Sequence, residues 1–246
     1  MKRFPLLGVT LGAVLVVSAW MSASASAACK SCWHVKEGAK ASEELAAGKF
    51  YSLQGKQTGS FVLTGKALGF IELSVTCKKM ATSGGKLLGG EPGKIEATLT
   101  FRECTSNSGL CTPSEPIKSP VKGEIVIYTS AGRKYLGVVF ESKEKSGVFT
   151  EIECSGLGLG AAVTGEIMAE LGEELGAKIE VGKELEQKEE IVNFPGTTSE
   201  KYENVKGETL DAELKWEGTV ATLKGQSVNT LEPGIPGEKV LFGAFD

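Results

Sequence analysis

Ile95-Glu96-Ala97-Thr98-Leu99-Thr100-Phe101 sets apolar and polar side chains at strictly alternate positions. Successive side chains of a strand point to opposite faces, so this stretch reads as a β-strand with one dry and one wet face. Leu210-Asp211-Ala212-Glu213-Leu214-Lys215-Trp216 repeats the pattern with a charge at every second place. One-sided strands of this kind belong to antiparallel sheets. Working outward, residues 59–66, 70–77, 148–154, 162–171, 219–224 and 239–242 read as further strands, and 125–128 and 138–140, apolar on both faces, as central ones. Turns are expected at Ser83-Gly84-Gly85, Gly89-Gly90-Glu91-Pro92-Gly93 and Ser130-Ala131-Gly132. Residues 166–190 carry both a four-residue and a two-residue period; their glycines favour a strand pair turning near 173–176, its acidic residues forming a solvated face. Many short strands at this spacing predict an all-β antiparallel sandwich or barrel, a single domain over residues 50–246. A short helix is expected over 41–47, with Ser42 as its cap and Gly48 as its stop.

The chain begins with Met1, Lys2 and Arg3, followed by an apolar run over 4–20 and a Ser/Ala stretch that contains Ala25-Ser26-Ala27. That order is the pattern of a secretory signal peptide, residues 1–27, cut after Ala27. The apolar run is short for a membrane anchor, and a lipoprotein signal would want a branched apolar residue where Ser26 stands. After cleavage no apolar run reaches spanning length, so the mature chain is expected to be secreted, outside the cell or in its envelope.

All six cysteines, Cys29, Cys32, Cys77, Cys104, Cys111 and Cys154, survive that cut. An even count in an exported chain predicts three disulfides, and six cysteines allow about 15 pairings. Strand phase puts Cys77 on the face of Ile71, Leu73 and Val75, and Cys154 on the face of Val148 and Ile152, which pairs Cys77 with Cys154. Cys104 falls on the polar side of its strand and is expected to join Cys111 across the turn-rich Thr105 to Gly109. Cys29-Lys30-Ser31-Cys32 then closes on itself in a flexible N-terminal segment, residues 28–49. A redox motif would want a helix start in a βαβ unit, and a zinc site two more ligands, with His34 the one imidazole in the chain. The expectation for metal ligands and cofactors is none.

With 24% charged and 41% hydrophobic residues among 246, the composition is that of an ordinary globular protein. Asp211 and Asp246 are the only aspartates, so an Asp-rich calcium loop has no ligands. Arg3, Arg102 and Arg133 are the only arginines, and a net charge of -4 repels nucleic acid. Gly156-Leu157-Gly158-Leu159-Gly160-Ala161 matches part of a dinucleotide fingerprint but is followed by a strand, not a helix. Gly89 to Lys94 is too short for a phosphate loop and has Ile95 where a hydroxyl should hold magnesium. Ser142-Lys143-Glu144-Lys145 places its lysine in a charged turn, unsuited to activating a serine. Glycoside hydrolysis needs only two carboxyl groups, and the abundant glutamates leave no pair to single out. Trp33 and Trp216 could stack on sugars, although the alternation with Leu214 places Trp216 in the core.

Phe61-Val-Leu-Thr64, Ile71-Glu-Leu-Ser-Val-Thr-Cys77, Ala97-Thr-Leu-Thr-Phe-Arg-Glu-Cys104 with Cys111-Thr-Pro113, Gly123-Glu-Ile125, Leu136-Gly-Val138, and Phe149 to Cys154 with Val163-Thr-Gly-Glu-Ile167 resemble a group of secreted actinobacterial proteins of unknown function. The resemblance covers about residues 60–170 and implies a disulfide-stapled β fold outside the membrane; it carries over no activity, cofactor or catalytic residue, since the group has none established. Cys29-Lys-Ser-Cys32 lies outside it. The expected function is that of an exported, non-enzymatic binding or structural module with an unidentified protein or glycan ligand. The alternative is a secreted glycosidase-like hydrolase using a Glu pair, and a third reading gives Cys29 and Cys32 a thiol-redox or metal role.

Overall fold

A computed structural model describes residues 29–67, 69–109, 111–155, 159–173, 177–183, 187–233 and 240–245. The leader expected over 1–27 and residues 156–158 of the glycine motif lie outside them. The described residues contain strands and no helix. In chain order the strands are β1 (Cys32–Glu37), β2 (Glu43–Glu44), β3 (Phe50–Gln57), β4 (Phe61–Ala67), β5 (Ile71–Leu88), β6 (Lys94–Ser106), β7 (Ile117–Ser130) and β8 (Arg133–Ser142). They continue with β9 (Val148–Cys154), β10 (Leu159–Gly172), β11 (Glu190–Pro195), β12 (Glu200–Glu203), β13 (Thr209–Ala212), β14 (Leu214–Trp216), β15 (Thr219–Leu231) and β16 (Val240–Phe245).

The antiparallel pairings β3-β5-β6-β7-β8-β10-β11-β15 return to β3, so eight strands form a closed hydrogen-bonded ring. Of the two architectures the sequence allowed, this is the barrel. The other ends of the long strands build a second ring: β6, β5, β4, β15, β14, β10 and β9 pair in that order. Between β9 and β7 the ladder gives way to side chains, with Ser119 Oγ donating to the Phe149 carbonyl at 2.6 Å and Thr150 Oγ1 to that of Lys118 at 2.8 Å. Leu87, Val121, Val138, Phe140 and Val192 fill the first ring, and Leu63, Leu73, Phe149, Ile152 and Val163 the second. Phe61 stands at the junction, edge-on to Phe101 at 5.4 Å and to Phe194 at 5.8 Å. Gly225 makes room for it, because a Cβ there would lie 2.4 Å from the Phe61 ring.

Six sequence expectations change. The turn at Ser83-Gly84-Gly85 is a bulge inside the 18-residue strand β5, where the register with β6 slips between Ser83 and Lys86 and Gly84 takes φ +60°. The 41–47 helix is replaced by β2, because Leu45 N–H donates to the Trp33 carbonyl at 2.8 Å and Gly90 N–H to the Leu45 carbonyl at 3.0 Å. A seven-residue helix has too little propagation to compete with such cross-chain bonds. Residues 28–49 are not a flexible segment where described: β1 pairs along β16, and Trp33 is wholly buried, its indole N–H donating to the Lys94 carbonyl at 3.1 Å. The strand expected over 210–216 divides at Glu213, β13 pairing with β12 and β14 with β10 and β15. After Gly172 the chain folds back, Gly172 facing Lys178 across a bridge, but the described residues between there and β11 hold no long second strand.

The sixth correction concerns the disulfides, which join Cys77 to Cys104, Cys111 to Cys154 and Cys29 to Cys32. The pairs Cys77–Cys154 and Cys104–Cys111 do not form. Register sets Cys77 directly across from Cys104 in the β5–β6 pair. Simple alternation from Phe101 would turn Cys104 outward, but both strands change face together at Lys78–Lys79 and Arg102–Glu103, so Cys77 and Cys104 are both buried. Glu103 sits there at φ +53°, and the N–H groups of Cys104 and Glu103 donate to the Glu115 carboxylate, which lowers its pKa. Cys111 reaches Cys154 because residues 112–114 run beside the end of β9, with Pro113 bridging Cys154 and Ser114 N–H donating to the Glu153 carbonyl at 2.9 Å.

Two outcomes are expected in urea unfolding. Gly225→Ala destabilises by about 1–3 kcal/mol, the range for overpacking against a ring that cannot move aside. Replacing Cys111 and Cys154 together by Ala removes about 4 kcal/mol, as chain entropy gives for their separation of 43 residues.

Candidate functional site

The outer face of the first ring carries a second, smaller cluster that solvent does not reach freely. On β7, β8 and β10 the positions opposite the core residues hold Val126, Tyr128, Tyr135, Val139 and Met168, and the β12–β13 hairpin covers them with Tyr202 and Ala212. Tyr128 and Tyr135 are cross-strand neighbours, their ring centroids 5.7 Å apart. Gly137 lets them settle, since a Cβ there would meet the Ala169 carbonyl at 2.9 Å and the Tyr128 ring at 3.3 Å.

Charge collects around this aromatic floor. Lys178 Nζ lies 5.4 Å from the Tyr128 centroid and 5.6 Å from that of Tyr135, within cation–π reach. It also donates to Glu170 Oε1 at 2.7 Å, while Asn193 Nδ2 donates to Glu170 Oε2 at 3.1 Å. Glu170 thus has both oxygens engaged with its side chain 13% exposed. Tyr202 donates its hydroxyl to Glu166 Oε2 at 3.1 Å, and Thr197 donates to Glu200 Oε1 at 2.8 Å. Glu200 Oε2 is buried with no partner, and burial, more than the neighbouring Glu170, pushes the Glu200 carboxyl above its ordinary pKa. The Tyr128 and Tyr202 phenols are pushed up as well, first by burial and then by nearby carboxylates, Glu170 and Glu200 for Tyr128 and Glu166 for Tyr202. Cavities beside β10, the largest of these three about 470 Å³ and bordered by Glu166, Tyr202, Asp211 and Lys215, run along this face. The arrangement offers a polyhydroxylated or peptide ligand hydrogen-bonding groups of both kinds. In chemical terms it sets Glu200, whose carboxyl burial pushes above its ordinary pKa, near the ion-paired Glu170 carboxylate.

A second unusual group is inside the barrel. Glu190 opens β11 with the parity of Val192 and Phe194, and its carboxyl is completely buried with Oε1 unpartnered. Burial alone raises its pKa to about 8. Beside it on β15 lie the buried Asn229, which donates to the Glu190 carbonyl at 3.4 Å, and Ser227. The sequence reading assigned the acidic residues of 166–190 to a solvated face. That is corrected for Glu190, and Glu170 is largely covered. The signal was the alternation itself, since Glu190, Val192 and Phe194 share one face.

The other residues singled out from sequence are dispersed. Cys77 lines the second ring with Cys104 buried beside it, and Cys111 and Cys154 lie where the loop after β6 meets β9. Ser142 donates to the Val148 carbonyl at 2.6 Å, and Lys143 is tied to Glu96. Trp33 and Trp216 are both wholly buried, so neither offers a ring to sugar. Cys29 and Cys32 meet Glu44 at the start of the described chain, His34 standing opposite Glu44 in the β1–β2 pair. No helix among the described residues is long and apolar enough to cross a membrane. Compared with protein-family models, curated proteins and solved structures, the chain matches none.

Glu190 makes stability depend on pH with a definite sign. A carboxyl whose pKa is raised from 4.5 to about 8 holds its proton in the folded state over a range where the unfolded chain has lost it. Stability is therefore complete below the unfolded value and falls as pH rises through that window. Urea unfolding of Glu190→Gln at about pH 5 and about pH 8 should show the wild-type loss reduced by a few kcal/mol. An unchanged pH dependence would place the carboxyl in water.

Proposed function

We propose that the protein is exported by a leader cut after Ala27 and acts outside the cytoplasm as a non-catalytic binding or structural module. The supporting observation is that all six cysteines are joined in disulfides, four of them within the barrel. Such bonds form and persist in oxidising compartments. The ligand surface in this reading is the outer face of β10, where Glu166, Glu170, Lys178 and Asn193 border the tyrosine floor; a glycan or an extended peptide suits its mixture of donors and acceptors. Intact-mass measurement and non-reducing peptide mapping of the secreted protein test the export half. The expected result is a chain that begins after Ala27, with Cys77 linked to Cys104 and Cys111 to Cys154. A retained leader with free thiols overturns it.

The Glu170 and Glu200 carboxyls support a second reading, glycoside hydrolysis, in which Glu200 would be the proton donor and Glu170 the fixed carboxylate. If it holds, purified protein releases reducing ends from a polysaccharide panel, and Glu170→Gln and Glu200→Gln each lower that rate by roughly a hundredfold or more. Equal release by both variants and wild type removes the reading.

A further inference from the structure

The first described residues carry a set of donor atoms that the barrel does not use. The two Sγ atoms of Cys29 and Cys32 and a carboxylate oxygen of Glu44 lie within 4.8 Å of one another. Three separate pieces of backbone hold them there. Cys32 opens β1, which is anchored along β16 and by the buried Trp33. Glu44 belongs to β2, held against β1 opposite His34. The turn between the cysteines is fastened to the loop after β5, with Gly93 N–H donating to the Ser31 carbonyl at 2.8 Å and Lys30 N–H to Glu91 Oε1 at 3.3 Å. None of these ties passes through the Cys29–Cys32 bond, so opening that bond leaves the frame standing.

We infer that Cys29, Cys32 and Glu44 form a redox-gated site for a borderline-soft divalent cation of the zinc class. Thiolate and carboxylate together are ligands zinc accepts, and three protein ligands leave a fourth tetrahedral position for water or a substrate atom. In the oxidised protein both sulfurs are committed to each other and the site is closed. A dithiol reductant opens it: two electrons pass to the Cys29–Cys32 bond, its two sulfurs become thiols, and the reductant leaves as its own disulfide. The cation then displaces one proton from each thiol, forming two metal–sulfur bonds and releasing two protons to solvent. Tetrahedral coordination with metal–sulfur bonds of about 2.3 Å needs the sulfurs about 3.8 Å apart. The Cα atoms stand 5.9 Å apart, a separation that side-chain rotation can convert from bonded to coordinating. Access for the reductant is through Cys29, which is partly exposed beside the exposed Lys30, whereas its partner Cys32 and the other four cysteines, Cys77, Cys104, Cys111 and Cys154, are buried.

The test uses the full secreted chain. A brief treatment with dithiothreitol, followed by anaerobic desalting, should open one disulfide, read as two alkylated cysteines mapped to Cys29 and Cys32. Cobalt(II) is then titrated as a spectroscopic probe and displaced with zinc. The expected result is one cobalt per chain, with a thiolate-to-metal charge-transfer band in the reduced protein and none in the oxidised protein. Cys29→Ser should abolish the band, and Glu44→Gln should weaken affinity at least about tenfold, since even groups behind the ligands matter that much. A reduced protein that keeps its β circular dichroism and shows no band overturns the proposal. So does a band that Glu44→Gln leaves at full affinity, or loss of the β signal when this one bond opens, because the site depends on the folded β1–β2 frame.

Discussion

Pairing of β11 with both β10 and β15 closes the first ring, and most of the remaining architecture is a consequence of that closure. An open eight-stranded sheet would leave two edges of unpaired N–H and C=O groups; a closed one leaves none. Closure also fixes an inside, so every strand must alternate in the same phase as its neighbours, and a one-residue slip would turn its apolar set to water. Space inside is limited, and glycine occurs where another side chain crosses: Gly123 beneath Val138 and Phe140, Gly225 beneath Phe61. The long strands continue past the first ring because β4, β9 and β14 offer their far ends new partners.

The second ring is less completely hydrogen-bonded, and the covalent links fall where its ladder changes. Cys77–Cys104 lies beside the point where β5 and β6 exchange faces, a place at which two strands could otherwise slide. Cys111–Cys154 fastens the loop after β6 to the end of β9, close to the interval in which Ser119 and Thr150 hydroxyls stand in for backbone pairing. Each bridge thus supplies a constraint that register alone does not. Both also restrict the unfolded chain, the larger loop more than the smaller.

Much of this could be read from alternation, and the failures share a cause. Residues 95–101 show their strand and buried face because nothing disturbs the period there; 148–154 form the expected strand with Ile152 and Cys154 buried, but a register shift against β10 buries Phe149 and leaves Val148 only half-buried. Cys104 was turned outward on paper because parity was carried across Arg102–Glu103, where the strands change face and where the only clue would have been a partner strand doing the same. Ser83-Gly84-Gly85 has the composition of a turn, yet Gly84 at positive φ serves a bulge equally well; only the pairing of β5 with β6 distinguishes the two. The pattern over 41–47 was local, while the bonds that replaced the helix come from Trp33 and Gly90. For the candidate site, Tyr128 and Tyr135 face each other across the β7–β8 hairpin, and their cover comes from a second hairpin that begins only at Glu200. Long-range cover of that sort leaves no trace in a local period.

The two groups of carboxyls show how location decides what an acidic side chain does in this fold. Glu190 shares the barrel interior with Asn229 and Ser227, and its burial there favours the neutral form. On the outer face Glu170 and Glu166 stay engaged with Lys178, Asn193 and Tyr202, and these bonds, with Lys134–Glu203, link the β12–β13 hairpin and the residues before β11 to the barrel wall. Partly exposed ion pairs contribute only about 0–1 kcal/mol each. The wall itself rests on a closed ladder and an apolar core. The cover over Tyr128 and Tyr135 is held by the short β12–β7 ladder and the buried Tyr202 and Ala212, with the polar pairs of Glu166, Glu170 and Lys178 adding orientation more than stability.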